Sequence, residues 1–250
     1  GDNIKNVTTI NDATIRLTAQ WVAEGYNIIY ISNGGSDGDM AITECTYGNQ
    51  CELTENAFTR NGYVFSGWNT SANGSGTAYD DNAIIENITG AITLYAQWEP
   101  ITYNITYDLK GGTNHGSNPA TYTIESKTIT LQDPTKTGYT FDGWYYNGTP
   151  ISEITKGSTG DKKLTAQWNP ITFKITYDGN NNTGGAAPSA PITCTYDSTC
   201  TVPANTYTRT GHIFIGWKCT GGDETCNENI VSAGDNIKNV TTINDATIRL

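Results

Sequence analysis

The sequence predicts a mainly β protein of small β-grasp-like modules in tandem, three to each 233-residue period, in an elongated rod. Three observations predict it. The first seventeen residues, GDNIKNVTTINDATIRL, return unchanged as Gly234–Leu250, which marks a tandem duplication. A shorter phrase recurs three times, as GYVFSGW (Gly62–Trp68), GYTFDGW (Gly138–Trp144) and GHIFIGW (Gly211–Trp217). Apolar residues alternate with polar ones, and no long segment carries a 3.6-residue period.

The elements follow in order. Residues 1–21 read as the last strand of a preceding repeat, ending in IRLTAQW at Trp21. Three modules follow at 22–98, 99–168 and 169–250, the first two closed by LYAQW (Leu94–Trp98) and LTAQW (Leu164–Trp168). The third stops at IRL, and the head of the chain implies that Thr-Ala-Gln-Trp follows it in the parent gene. Each module opens on an alternating strand, YNIIYIS (Tyr26–Ser32), YNITYDL (Tyr103–Leu109) or FKITYDG (Phe173–Gly179), with one buried and one wet face. Turns rich in Gly and Asn come next. The dipeptides Glu99-Pro100 and Asn169-Pro170 separate one module's last strand from the next module's first. Such linkers are too short and too restricted by proline to act as loose tethers, so neighbouring modules must touch. The joint at Val22–Gly25 lacks proline and reads as softer.

An ITYD strand, then GYxFxGW, then LYAQW resembles the Listeria–Bacteroides repeat, the internalin B-type B repeat. The resemblance implies small β-grasp-like modules on bacterial surface or secreted proteins, an extracellular location, and a stalk, adhesive or scaffolding role. It implies no catalytic residue. His212, standing where the other modules have Tyr63 and Tyr139, departs from the pattern, as does the longer loop after Trp217.

Six cysteines fall as close pairs, Cys45/Cys51, Cys194/Cys200 and Cys219/Cys226. The first two pairs occupy equivalent places, and the middle module lacks both partners together. That joint presence or absence is what a disulfide requires, and facing hairpin positions lie within bridging reach. Zinc favours shorter spacings and four ligands, with no His near these pairs. The pairs are therefore read as disulfides formed in an oxidising compartment.

The repeat-core signature comprises Gly62, Phe65, Trp68 and Trp98; Gly138, Phe141, Trp144 and Trp168; and Gly211, Phe214 and Trp217. Each Phe and its following Trp are placed on one strand face as core anchors, with stacking on sugar rings as the competing use. Trp21, Trp98 and Trp168 are expected to pack against the neighbouring module. Neither His115 nor His212 has a nucleophile in a recognisable setting, and the acidic pairs, such as Asp80/Asp81, follow no calcium-loop register. No cofactor, metal site or enzyme chemistry is expected.

A net charge of −11 argues against nucleic acid and anionic surfaces as partners. No apolar run is long enough to span a bilayer. The composition and repeats together predict a structural stalk or filament segment of an extracellular surface protein, whose partners are neighbouring repeats. The alternative is an adhesin module binding host protein or glycan through repeated copies. Self-assembly through exposed strand edges is a third possibility.

Overall fold

Side chains alternate between the two faces of a strand, so an opening strand with one apolar face must bury it. In β1 (Gly25–Ile31) that face is Ile28 and Tyr30, both buried, while Asn27, Ile29 and Ile31 point outward. The computed structural model describes residues 4–5, 7–36, 38–188, 190–219 and 230–250. The chain divides into two compact units, Gly1–Ile101 and Thr102–Leu250.

In the first unit β1 is followed by β2 (Thr43–Thr46), β3 (Cys51–Glu52), β4 (Tyr63–Asn69), β5 (Ala78–Tyr79), β6 (Ile84–Ile85) and β7 (Ile92–Pro100). One sheet has the order β2-β1-β7-β4-β5. Its central pair, β1 with β7, is parallel and the other pairs are antiparallel. A parallel pair needs a crossover connection. Here β2 to β6 supply it, with no helix among the described residues, and β3 pairs with β6 in a short second ladder. The core between them gathers Ile28, Tyr30, Leu53, Phe58, Trp68 and Leu94.

The second unit contains this plan twice. Its first half has β8 (Tyr103–Asp108), β9 (Thr121–Tyr122), β10 (Ile129–Thr130), β11 (Tyr139–Tyr146), β12 (Thr149–Ile151), β13 (Glu153–Ile154) and β14 (Lys162–Pro170). The sheet order is β12-β11-β14-β8-β9, again with a parallel central pair, and β10 pairs with β13. Its second half has β15 (Thr172–Thr176), β16 (Gly184–Gly185), β17 (Ile192–Thr195), β18 (Cys200–Thr201), β19 (Tyr207–Thr208), β20 (Trp217–Lys218), β21 (Ile230–Val231), β22 (Asn236–Ile237) and β23 (Thr247–Arg249). There the main sheet is reduced to β17-β15-β23. The chain is thus mainly β, in small sheets repeated in tandem.

Two details go beyond the reading of the sequence. Phe65 and Trp68 are three residues apart, so a regular strand would set them on opposite faces. The ladder between β4 and β7 shifts register between Phe65 and Gly67, and the same bulge lies between Phe141 and Gly143 in β11. The extra residue, Ser66 or Asp142, returns the Phe and the Trp to one face. The linker dipeptides, in turn, are not free. Pro100 pairs with Tyr63 and Pro170 with Tyr139 as the ends of β7 and β14. The ladder then runs one residue further, Ile101 N donating to Gly62 O at 2.9 Å and Ile171 N to Gly138 O at 3.0 Å. Proline has no N–H to offer, so it sits at the strand's end, where the ladder does not need one.

Candidate functional site

The GYxFxGW strand and the closing strand build one aromatic cluster, and it recurs. In the first module Trp68 meets Tyr30 at 4.9 Å and Phe65 at 5.0 Å between ring centroids, and Phe65 meets Trp98 at 5.7 Å. In the second, Trp144 meets Tyr107 at 5.2 Å and Phe141 at 5.5 Å, and Phe141 meets Trp168 at 5.4 Å. The third repeats Tyr177–Trp217 at 5.1 Å and Phe214–Trp217 at 5.1 Å. Tilted and edge-on pairs at such separations add to simple area burial. Each central indole also donates its N–H: Trp68 to Asp81 Oδ1 at 3.4 Å, Trp144 to Gln132 O at 3.1 Å, Trp217 to Pro203 O at 3.4 Å. Trp68, Trp144 and Trp217 are at most 4 % exposed, which closes their faces to stacking on a sugar ring.

Trp98 and Trp168 pack within their own modules. Each lies on its module's Phe and donates Nε1–H to the carbonyl ending the opening strand, Ser32 O or Leu109 O, at 2.9 Å. A Cβ at Gly35 would come within 2.9 Å of Cζ2 of Trp98, and one at Gly112 within 2.6 Å of Cζ2 of Trp168. Those turns are glycine because the indole fills the space. Trp21, by contrast, is 92 % exposed.

Cys45 and Cys51 are bonded, with Cα atoms 5.7 Å apart, as are Cys194 and Cys200 at 6.0 Å. Register explains the middle module. Tyr26 pairs with Cys45, Phe173 with Cys194, and Tyr103 with Tyr122. Cys51 faces Ile85, Cys200 faces Ile237, and Ile129 faces Ile154. Tyr122 and Ile129 therefore stand where the other modules carry the bridge, and buried Tyr122 ties the loop by donating to Gly160 O. The third pair reaches outside the described residues at Cys226. A bridge across so short a loop contributes about 2 kcal/mol. Reduction is expected to lower the unfolding temperature of the first and third modules by roughly 10 °C. The second module should be unaffected, which hydrogen exchange with and without reductant resolves module by module.

The remaining singled-out residues have local partners. Asp81 accepts from Asn56 N at 3.0 Å besides Trp68, so its carboxylate organises the core edge. His115 and His212 are exposed turn residues whose Nδ1 atoms meet Ser117 N and Thr210 O. Among the described residues no group of three or more His, Cys, Asp or Glu is placed to hold a metal. Again among those residues, no helix is long and apolar enough to cross a membrane. The position of Tyr63 and Tyr139 was not legible as a cation site. Arg60 Cζ lies 3.8 Å over the Tyr63 ring and Lys136 Nζ 3.9 Å over that of Tyr139. The signal was a cation three residues ahead of the aromatic, in RNGY and KTGY.

Tyr139 also forms the joint between the second and third modules. Its hydroxyl donates to Asp197 Oδ2 at 2.8 Å, and its ring meets Tyr196 edge-on at 5.8 Å. Tyr196 covers Gly138 so closely that a Cβ there would enter the ring. Tyr196 N donates to Ile171 O, and Asn239 Nδ2 donates to Asp197 Oδ1, each at 2.9 Å. The hydrogen bonds from Asn239 and Tyr139 hold the Asp197 carboxyl below its ordinary 3.8, helped by Lys238 and Lys136. The bond to Asp197 raises the Tyr139 phenol above 10.0, helped by burial. A lowered carboxyl contributes above its ordinary value and fails as pH falls through the lowered one. A raised phenol contributes below 10.0 and fails as pH climbs through the raised one. The joint is thus expected to hold through the neutral range and to loosen at both extremes. Interdomain NMR relaxation against pH checks this, and Tyr139→Phe should abolish the alkaline loosening.

The comparisons with known proteins agree with this repeat plan. The Listeria–Bacteroides repeat domain matches residues 26–97, 103–167 and 173–244. A Gly-rich membrane protein of Evansella cellulosilytica is 28% identical over 213 residues, 83% of this chain and 24% of its own length. A second membrane protein of that organism is 31% identical over 224 residues, 84% of this chain and 31% of its own. Internalin H of Listeria monocytogenes is 34% identical over 152 residues, 56% of this chain and 23% of its own. The chain thus spans between about a quarter and a third of these relatives. Three matches in succession cover most of its length, and the chain belongs to the Listeria–Bacteroides repeat domain family.

Proposed function

We propose that the chain is a stalk segment of a bacterial extracellular surface protein, its modules being those at 22–98, 99–168 and 169–250. One observation carries this reading: the strand ending the second module runs through its linker without a break, and Tyr196 of the third closes onto Gly138. Such a joint transmits orientation, and nearest-neighbour contact adds stability in linear repeat proteins. The buried aromatics and the disulfides resist unfolding and proteolysis, which suits exposure outside a cell. The repeat-bearing relatives, named as membrane proteins and an internalin, favour the same setting. The purified chain is tested on a glycan array and against host-cell extracts. The stalk reading expects no saturable binding; specific, saturable binding would replace it with the adhesin.

A further inference from the structure

A strand that buries one face is ordinarily polar on the other, and β1 is not. Its outward residues include Ile29 and Ile31, 43 % and 40 % exposed. The register sets Ile29 beside Thr93 and Ile31 beside Tyr95 on β7, and continues past Thr43 of β2 to Ile42, 49 % exposed. The sibling modules carry Thr106 and Asp108, or Thr176 and Asp178, in place of the two isoleucines, and Pro119 or Pro191 in place of Ile42. The first sheet is thus apolar on both faces where the equivalent strands elsewhere are polar on one.

This outer face runs into an acidic hollow. Tyr95, Gln97 and Glu99 of β7 alternate with the buried Leu94 and Ala96, so they share the outward side with Ile31. Residues 70–77 fold back over that side, Asn33 Nδ2 donating to Ala72 O at 2.8 Å and Gln97 Nε2 to Ser71 O at 3.5 Å. Between them lies a hollow of about 370 Å³ bordered by Tyr79, Asp80, Gln97 and Glu99. Glu44, opposite Asn27, borders the apolar strip from β2. Residues 22–98 hold nine carboxylates and one basic side chain, Arg60, which lies over the Tyr63 ring. Residues 99–168 hold seven carboxylates but six lysines, so most of the chain's net charge of −11 sits on the first module.

We propose that this face docks a basic amphipathic peptide, its aliphatic side along Ile29, Ile31 and Ile42 and a lysine or arginine in the hollow beside Asp80 and Glu99. Apolar contact supplies the affinity, while the carboxylates select the sign of the partner and speed its approach. A second copy of the chain suits the face poorly, because two such faces would bring like charges together. The inference stands apart from the stalk reading, since a stalk that carries a peptide on its flank still acts through spacing.

Fluorescence anisotropy tests the proposal, with a labelled synthetic peptide of four Leu-Lys-Lys-Leu repeats titrated with the whole chain. Saturable binding of one peptide per chain is expected, weakened about tenfold or more by the double variant Ile29→Thr/Ile31→Asp. The sibling modules fold with those residues, so the variant keeps the fold. Asp80→Asn with Glu99→Gln should weaken binding severalfold, and so should raised salt. A peptide with glutamate for lysine should not bind, and oligolysine only weakly. Absence of saturable binding overturns the proposal, as does a double variant that binds like the parent or oligolysine that binds as tightly. Self-association of the chain that the double variant abolishes would give the face to a second copy and overturn it too. Glycan and host-extract tests repeated on the double variant judge the stalk reading alone, so the two readings fail separately.

Discussion

Trp144→Ala is expected to unfold the second module. The indole is 2 % exposed, lies against Tyr107 and Phe141, and donates to Gln132 O. Truncating such a side chain costs about 3–5 kcal/mol through lost burial and the cavity left behind. A module of this size holds only some 3–10 kcal/mol in all. This module also lacks the disulfide that steadies its neighbours, Tyr122 and Ile129 standing in that place. Burial in the same cluster pushes the Tyr107 phenol up to about 12. Hydrogen exchange read by mass spectrometry should show protection lost across residues 103–168. Ile213→Ala, at a side chain 87 % exposed, should change nothing. Retained protection in Trp144→Ala would mean that the aromatic cluster is not the core's anchor.

Gly67→Ala has the second-largest expected effect, about 2–4 kcal/mol of destabilisation of the first module. Gly67 follows the bulge with φ of +131°, a conformation open to glycine and strained for other residues. A Cβ there would also stand 2.9 Å from Tyr79 O, a backbone atom of β5 that cannot easily move aside. The strain falls on the turn of strand that brings Phe65 and Trp68 to one face, so relieving it would separate the two rings. Gly90→Ala is the control, since a Cβ there meets nothing within 4 Å. Thermal unfolding of the two variants should place Gly67→Ala well below the parent chain and Gly90→Ala beside it.

Both effects show how much could be read from the residues alone. The alternation in YNIIYIS and FKITYDG marks the buried strand faces directly, because a period of two has only one structural meaning. The recurrence of GYxFxGW and the AQW ending marks the repeats. The bulge was hidden because one inserted residue changes register without changing composition. The destination of Trp98 and Trp168 was hidden as well. Their partners, Phe65 with Ser32 O and Phe141 with Leu109 O, lie far away in sequence and meet them only once the parallel pairing of β1 with β7 and β8 with β14 is known. Proline in the linkers signalled restriction but not that Pro100 and Pro170 end strands. Tyr196 over Gly138 carried no local signal, since neither residue has an unusual neighbour in sequence.

Strand continuity and the Tyr139–Tyr196–Asp197 contact hold the second and third modules in one orientation. Double electron–electron resonance tests it most directly, with nitroxides on Lys127→Cys and Lys174→Cys in the whole chain. A single narrow distance distribution, broadened by Tyr196→Ala, is the expected result. A broad distribution in the parent chain, unchanged by Tyr196→Ala, would contradict the account.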